Sequence, residues 1–370
     1  MPIAAALILA LVSSTPEPVD GFEALPGASC FGRLALDPSN PNVLFEYSFD
    51  PAELHRSDDG GVTWSKLTAP APKLVSVVVS PTNSNTVYAV ANGFYVSHDR
   101  GQTWEGSGDA PAGLNGRLIV DPFLPQQLYV ASSPVPGGPL FGEIWFSPDE
   151  GIHWTPRDSG IPPGTPPRFL RPIVADPNRP GVFLVGVGPG MGVYMTSDGG
   201  DSWVLWSTDD VSPVGFEAGS SDVIWGKDDV ESSPVVSMDA GRTWSRRRIA
   251  SYPDPNPYVS LFLGDLVPDP VTPGVVYAIF IHSQPFLYQD DLLRYTPSTG
   301  WVSLRDGRTY PSAGFRDIAI HPAGPTVWVS ACGDEPVTYR RGPRPTSERS
   351  PLLSRRVPRP TRDVPVRGDP

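Results

Sequence analysis

Two cysteines and five histidines in 370 residues leave little material for thiol or metal chemistry. His55, His98, His153, His282 and His321 stand far apart with no ligand spacing, and two cysteines cannot furnish a zinc site, so no metal or cofactor is expected. There is no glycine-rich phosphate loop at a strand–helix junction and no Gly-x-Ser-x-Gly elbow. Basic side chains are also scarce. Lys plus Arg number 28 against 40 Asp plus Glu, and the resulting net charge of −12 argues against a general nucleic-acid binder. Beyond residue 12 no apolar run approaches the ~20 residues of a membrane-spanning helix.

What the chain has in abundance is turn chemistry. Glycine (37) and proline (47) make up 84 of the 370 residues, which disfavours long helices and favours many short strands joined by turns. One eight-residue phrase, Ser/Thr-x-Asp-x-Gly-x-x-Trp, recurs at Ser57–Trp64, Ser97–Trp104, Ser147–Trp154, Thr196–Trp203 and Ser237–Trp244, with a worn copy at Thr296–Trp301. Each reads as a hairpin turn. The carboxylates of Asp59, Asp99, Asp149, Asp198 and Asp239 accept loop amides, Gly supplies positive φ, and Trp returns the chain to the core.

Ahead of each phrase lies an apolar strand, a proline turn and a second apolar strand, as in Leu34–Pro38 with Val43–Phe45 and Val77–Pro81 with Thr86–Tyr88. Counting an eroded copy at Val214–Phe216 with Val223–Trp225, seven units result. The phrase resembles the Asp-box (BNR) repeat of sialidases, xyloglucanases, sortilin-type receptors and photosystem assembly factors. That resemblance implies a structural hairpin between the outer two strands of a propeller blade, remote from any active site. The expected fold is all-β: one seven-bladed β-propeller of four-stranded blades over residues 20–340. Unit seven lacks a box and an outer strand after Pro336–Tyr339, and Phe22–Pro26 looks like the missing strand, so the N-terminal strand is expected to complete the last blade. Cys30 and Cys332 flank that closure. They form either a disulfide stapling the ends, worth about 2–4 kcal/mol, or two unrelated buried thiols.

The ends of the chain read differently. Ile3–Val12 is an unbroken apolar run followed by small residues, which suits a signal peptide over residues 1–15 and a secreted or periplasmic destination. Residues 341–370 read as a disordered basic Pro/Arg-rich tail. From Arg340 onward there are nine Arg and three acidic residues, leaving −18 on the preceding chain.

For function the hub of the ring is the natural place to look. Arg33, Ser76, Arg117, Asp265 and Asp317 open apolar inner strands, with Arg171 and Arg316 one position earlier in their units. Lone charges of this kind are expected to converge on the axial channel. There they either bind a carboxylate or sulfate by bidentate hydrogen bonds or pair among themselves. Insertions at Ser132–Phe141 and His282–Asp291 add Phe286 and Tyr288 as sugar-stacking candidates and Asp290 and Asp291 as acid–base candidates. The link Ile161–Pro167 reads as a stiff spacer.

The sialidase resemblance implies an Arg-Ile-Pro phrase and six blades, whereas the first inner strand here reads Gly32-Arg33-Leu34-Ala35. The xyloglucanase resemblance is closer in its Asp-Pro turns; it implies two propellers with a cleft between them and puts Asp50 near a catalytic Asp after a one-residue gap. Two functions follow. The first is an exported, monomeric binding or assembly module taking a glycan or protein partner on its axial face. The second is a glycoside hydrolase using carboxylates among Asp50, Asp265, Asp290 and Asp317.

Overall fold

The computed structural model describes residues 21–30, 32–132, 142–163, 169–247, 260–283, 288–304, 314–324, 326–332 and 336–342. The regions 1–15 and 343–370 lie outside them, as do most of the 132–141 insertion and the end of the 161–167 link. Among the described residues there is no helix; seven antiparallel sheets follow one another round a ring.

Blade one is typical. Its inner strand Arg33–Leu36 pairs with Leu44–Ser48, which pairs with Glu53–Ser57 and then with the outer strand Ser65–Leu67. The proline turns and the Asp boxes therefore share one face of the ring. The starts of the inner strands share the other face with the loops between second and third strands. In blade four the inner strand is split into Phe169–Leu170 and Val174–Ala175, both pairing with Phe183–Gly188. Gly186 and Gly188 lie within that second strand, and the third strand begins at Gly192, so only residues 189–191 make the turn between them.

Apolar residues on both faces of each sheet have a mechanical consequence: the core is not central but divided among the blade–blade interfaces. One cluster lies between each consecutive pair, for example Phe45, Leu54, Val77 and Val87 between blades one and two. The closing interface is the poorest of these. Among the described residues, Leu34, Leu44, Ala319 and Trp328 are buried together between blades seven and one, against eleven residues between blades six and seven.

Polar ties reinforce that seam. As expected, Glu23–Pro26 pairs with Val337–Arg340 and completes blade seven. Trp328 Nε1 and Arg340 Nη1 both donate to the Gly60 carbonyl at 3.2 Å, and Arg340 Nη2 meets Glu23 at 2.7 Å. Ser330 Oγ donates to Gly32 O at 2.7 Å. Cys30 and Cys332 are joined in a disulfide across 302 residues of sequence. Replacing both cysteines with serine is expected to cost about 2–4 kcal/mol, read as a lower urea midpoint under oxidising conditions. An unchanged midpoint would mean that the polar ties alone hold the ring shut.

The boxes are built as the phrase requires. Asp59 Oδ1 accepts from Thr63 N at 2.9 Å and Oδ2 from Thr63 Oγ1 at 2.6 Å, while Ser57 Oγ accepts from Gly61 N at 2.8 Å. Hydrogen bonds led by that of the Thr103 hydroxyl hold Asp99 at about 2, and those of Ser202 and Thr196 bring Asp198 to about 2 against the opposing effect of burial. Gly151 shows why glycine is required: its φ is +92°, and a Cβ there would lie 2.0 Å from the Phe94 ring of the preceding blade. The tryptophans do more than return to their own core. The indoles of Trp64, Trp104, Trp203 and Trp301 donate to Pro26, Thr68, Arg157 and Arg247 carbonyls, latching blades one, two, four and six to the outer-strand segment of the blade before.

Candidate functional site at the axial mouth

Seven equivalent inner-strand positions face the hub: Arg33, Ser76, Arg117, Pro172, Pro213, Asp265 and Asp317. A channel of about 400 Å³ is lined by six of them, all but Arg33, together with Tyr47 and Ser212. A second cavity of about 280 Å³ lies beside it, bounded by Arg33, Phe49, Asn115, Arg117, Leu170 and Pro172. Arg117 and Pro172 line both.

Three hub side chains stitch one blade to the next through main-chain amides. Ser76 Oγ accepts from Leu118 N at 3.2 Å, Asp265 Oδ2 from Ile318 N at 3.2 Å, and Asp317 Oδ2 from Leu34 N at 2.7 Å. Asp265 Oδ1 also accepts from Leu266 N at 3.0 Å, so both its oxygens are engaged. The two aspartates owe their aim to β-bulges. Gly264 and Arg316 are the extra residues in their ladders, each immediately ahead of the aspartate it redirects.

Electrostatics divide the hub. Burial, reinforced by the nearby Asp265 carboxylate, raises the Asp317 carboxyl to about 7 despite Arg117, the Leu34 amide and Arg33. Burial and Asp317 push the Tyr47 phenol up as well. Burial acts to lower Arg117, but Asp317, Asp265 and Tyr47 more than offset it and hold the guanidinium charged. Arg33 and Arg117 both keep solvent-exposed surface at the rim, Arg117 despite the hub atoms crowded round its guanidinium, and neither has an ion pair within 4 Å among the described residues. Across the mouth Arg171 is committed: its Nε lies 3.2 Å from Asp229, which also accepts from Ser212 Oγ at 2.8 Å. Beside them Lys227 Nζ donates to Leu263 O at 2.8 Å, and burial lowers its affinity for protons.

The other sequence candidates fall elsewhere. Asp50 is exposed on the rim loop next to Phe49. Asp290 and Asp291, expected in an inserted loop, are instead buried strand residues: the Val276–Ser283 and Tyr288–Thr296 pair runs on to Ser283↔Tyr288, placing them opposite Ile281 and Phe280. Asp291 accepts from Ser303 Oγ at 2.8 Å, and Asp290 lies near Gly314 and Arg316 rather than on the channel. Phe286 and the side chain of Tyr288 lie outside the described residues. Tyr47, Ser212, Lys227 and Asp229 were not singled out from the sequence; only the pairing of Tyr47 opposite Arg33 would have pointed to the first of them. No cluster of three potential metal ligands occurs among the described residues. A third cavity, about 390 Å³ between blades four and five on the opposite face, is walled by Trp206, Met238 and Arg242, with the Arg242 guanidinium 4.6 Å from the Trp206 ring.

A family model described as the BNR/Asp-box repeat matches residues 55–66 and 95–105. A xyloglucanase of Paenibacillus sp is 26% identical over 227 residues, covering 50% of this chain and 21% of that enzyme. An oligoxyloglucan-reducing end-specific xyloglucanase of Emericella nidulans is 27% identical over 218 residues, covering 46% and 26%. The chain thus matches about a quarter or less of the length of these relatives. Among solved structures, the GH74 xyloglucanase of Xanthomonas campestris superposes with a TM-score of 0.60 at 18% identity, covering 86% of this chain and 55% of that one. YCF48 bound to D1 peptide gives 0.59 at 15% identity, covering 89% and 99%. The chain is a seven-bladed β-propeller that carries Asp-box repeats.

Proposed function

We propose that this propeller is an exported binding module whose axial mouth takes a glycan or an extracytoplasmic protein partner. One observation carries the reading: Arg33 and Arg117 stand exposed in a common cavity without an ion-pair partner among the described residues, while the neighbouring hub carboxyls accept main-chain amides. Guanidinium groups held in this way are free to take an anionic group, and the aspartates beside them serve the ring. The disulfide is consistent with an oxidising compartment, which agrees with removal of a signal peptide over residues 1–15.

Glycans and acidic peptides should be screened against the wild type and against Arg33→Ala and Arg117→Ala. Each substitution is expected to weaken the axial ligand about 10- to 100-fold, the worth of one or two charge-assisted hydrogen bonds, in a variant that keeps the wild-type circular dichroism spectrum. Ligands bound equally well by all three proteins would place recognition elsewhere.

The second reading is glycoside hydrolysis. It is favoured by the xyloglucanase relatives and by a carboxyl raised to about 7, Asp317, with a second carboxyl, Asp265, nearby, a pattern that suits a general acid in a two-carboxyl site. Against it stands the double amide engagement of Asp265, which ties both of its oxygens to the main chain of the ring and holds the group in a structural orientation.

A further inference from the structure

The cavity between Arg33 and Arg117 has more character than an anion patch. Its charged rim is one-sided: among the described residues two guanidinium groups and no carboxylate contribute to its wall. Asn115 adds an amide with both donor and acceptor atoms. Phe49 is 50% exposed on the rim loop, and Leu170 and Pro172 add apolar surface to the same wall. At about 280 Å³ the trough suits a single ring-sized unit of a longer chain that continues out of an open mouth.

We infer that this trough is a subsite for a carboxylated sugar, a uronate unit of an acidic polysaccharide. The two arginines take the carboxylate, Asn115 takes a ring hydroxyl, and Phe49 covers the apolar face of the pyranose. Each element answers one part of such a unit: forked donors match a planar carboxylate, and an aromatic ring matches the C–H face of a sugar. An acidic peptide would use the arginines but has no specific need of an exposed ring beside them. A neutral glycan would use the ring and leave two charges without a partner. The inference rests on the axial-binding reading and narrows it to one ligand class.

Calorimetric titration of the full chain with tri- to hexa-galacturonate, the matching methyl esters, neutral xyloglucan oligosaccharides and a poly-glutamate peptide tests it. The acid oligomers are expected to bind about tenfold or more tightly than their esters. Arg33→Lys and Arg117→Lys, which keep charge but lose the fork, should each lose severalfold affinity. Phe49→Ala should weaken the sugar without affecting peptide binding, its circular dichroism spectrum unchanged. Equal affinity for acid and ester, no binding of any uronate, or poly-glutamate binding alone would overturn the inference. Neutral oligosaccharides or peptide bound in an Arg117-dependent way would leave the axial-binding reading standing; insensitivity of every ligand to Arg33 and Arg117 would remove both.

Discussion

Replacing Trp328 with alanine is expected to lower the stability of the propeller by about 3–5 kcal/mol, the upper range for a buried aromatic. The indole is fully buried and is one of four buried residues among those described in the apolar cluster of the closing seam, so its loss removes the largest member of the smallest cluster. Its Nε1 also donates to Gly60 O inside the first Asp box, coupling the second strand of blade seven to blade one. Trp328→Phe separates the two contributions: it keeps most of the apolar contact and forfeits the hydrogen bond, for a loss of about 1–2 kcal/mol including the smaller ring. Urea unfolding measures both. A loss below 1 kcal/mol for the alanine variant would show that the seam does not limit stability.

The second large effect is a dependence of stability on pH with an unusual sign. Glu46, buried in blade one, accepts from Ser29 N at 2.6 Å and Ala28 N at 3.3 Å, yet burial outweighs these bonds and raises its carboxyl from 4.5 to about 7. Asp317 is raised to about 7 chiefly by burial too. A carboxyl whose folded pKa lies above its unfolded value favours the fold while protonated. That contribution is complete below pH ~4 and is lost as pH rises through about 7. For Glu46 the shift from 4.5 to about 7 corresponds to about 3 kcal/mol.

The Asp boxes act in the opposite direction. Asp99 and Asp198, held at about 2, favour the fold above pH ~4 and withdraw that support as pH falls towards 2. Stability is therefore expected to peak in mildly acid solution and to fall between pH 5 and 7.5. Glu46→Gln keeps an acceptor for the Ser29 amide and removes the titration, so its melting temperature should vary less over that interval and exceed the wild type at pH 7.5. A wild-type profile that rises from pH 5 to 7.5 would contradict the burial argument.

The scaffold was legible because it is repeated. Five Ser/Thr-x-Asp-x-Gly-x-x-Trp phrases give blade positions directly, since a tight turn leaves few residue choices, and the strand missing from unit seven could be matched to Phe22–Pro26 by wording alone. The hub was legible only in part. Arg117, Asp265 and Asp317 reach the channel as their place in the inner strand implies, and Arg33 reaches its rim. The bulges at Gly264 and Arg316, which turn two aspartates from free carboxylates into blade-to-blade acceptors, are properties of register between strands. No pattern within a single strand encodes them. Asp290 and Asp291 misled for the same reason: where a hairpin ends depends on how far two strands continue to pair, and this pair extends well beyond the repeat. Asp229 and Lys227 emerge only once blades four, five and six are side by side.

The claim that hub carboxyls maintain the ring while hub arginines recognise the ligand is tested most directly by a reducing-end assay on oligogalacturonides and xyloglucan, run on the wild type and on Asp317→Asn. The expected result is no new reducing ends from either protein, with the variant altered only in stability. Steady release by the wild type that Asp317→Asn abolishes, in a variant that still folds, would contradict it.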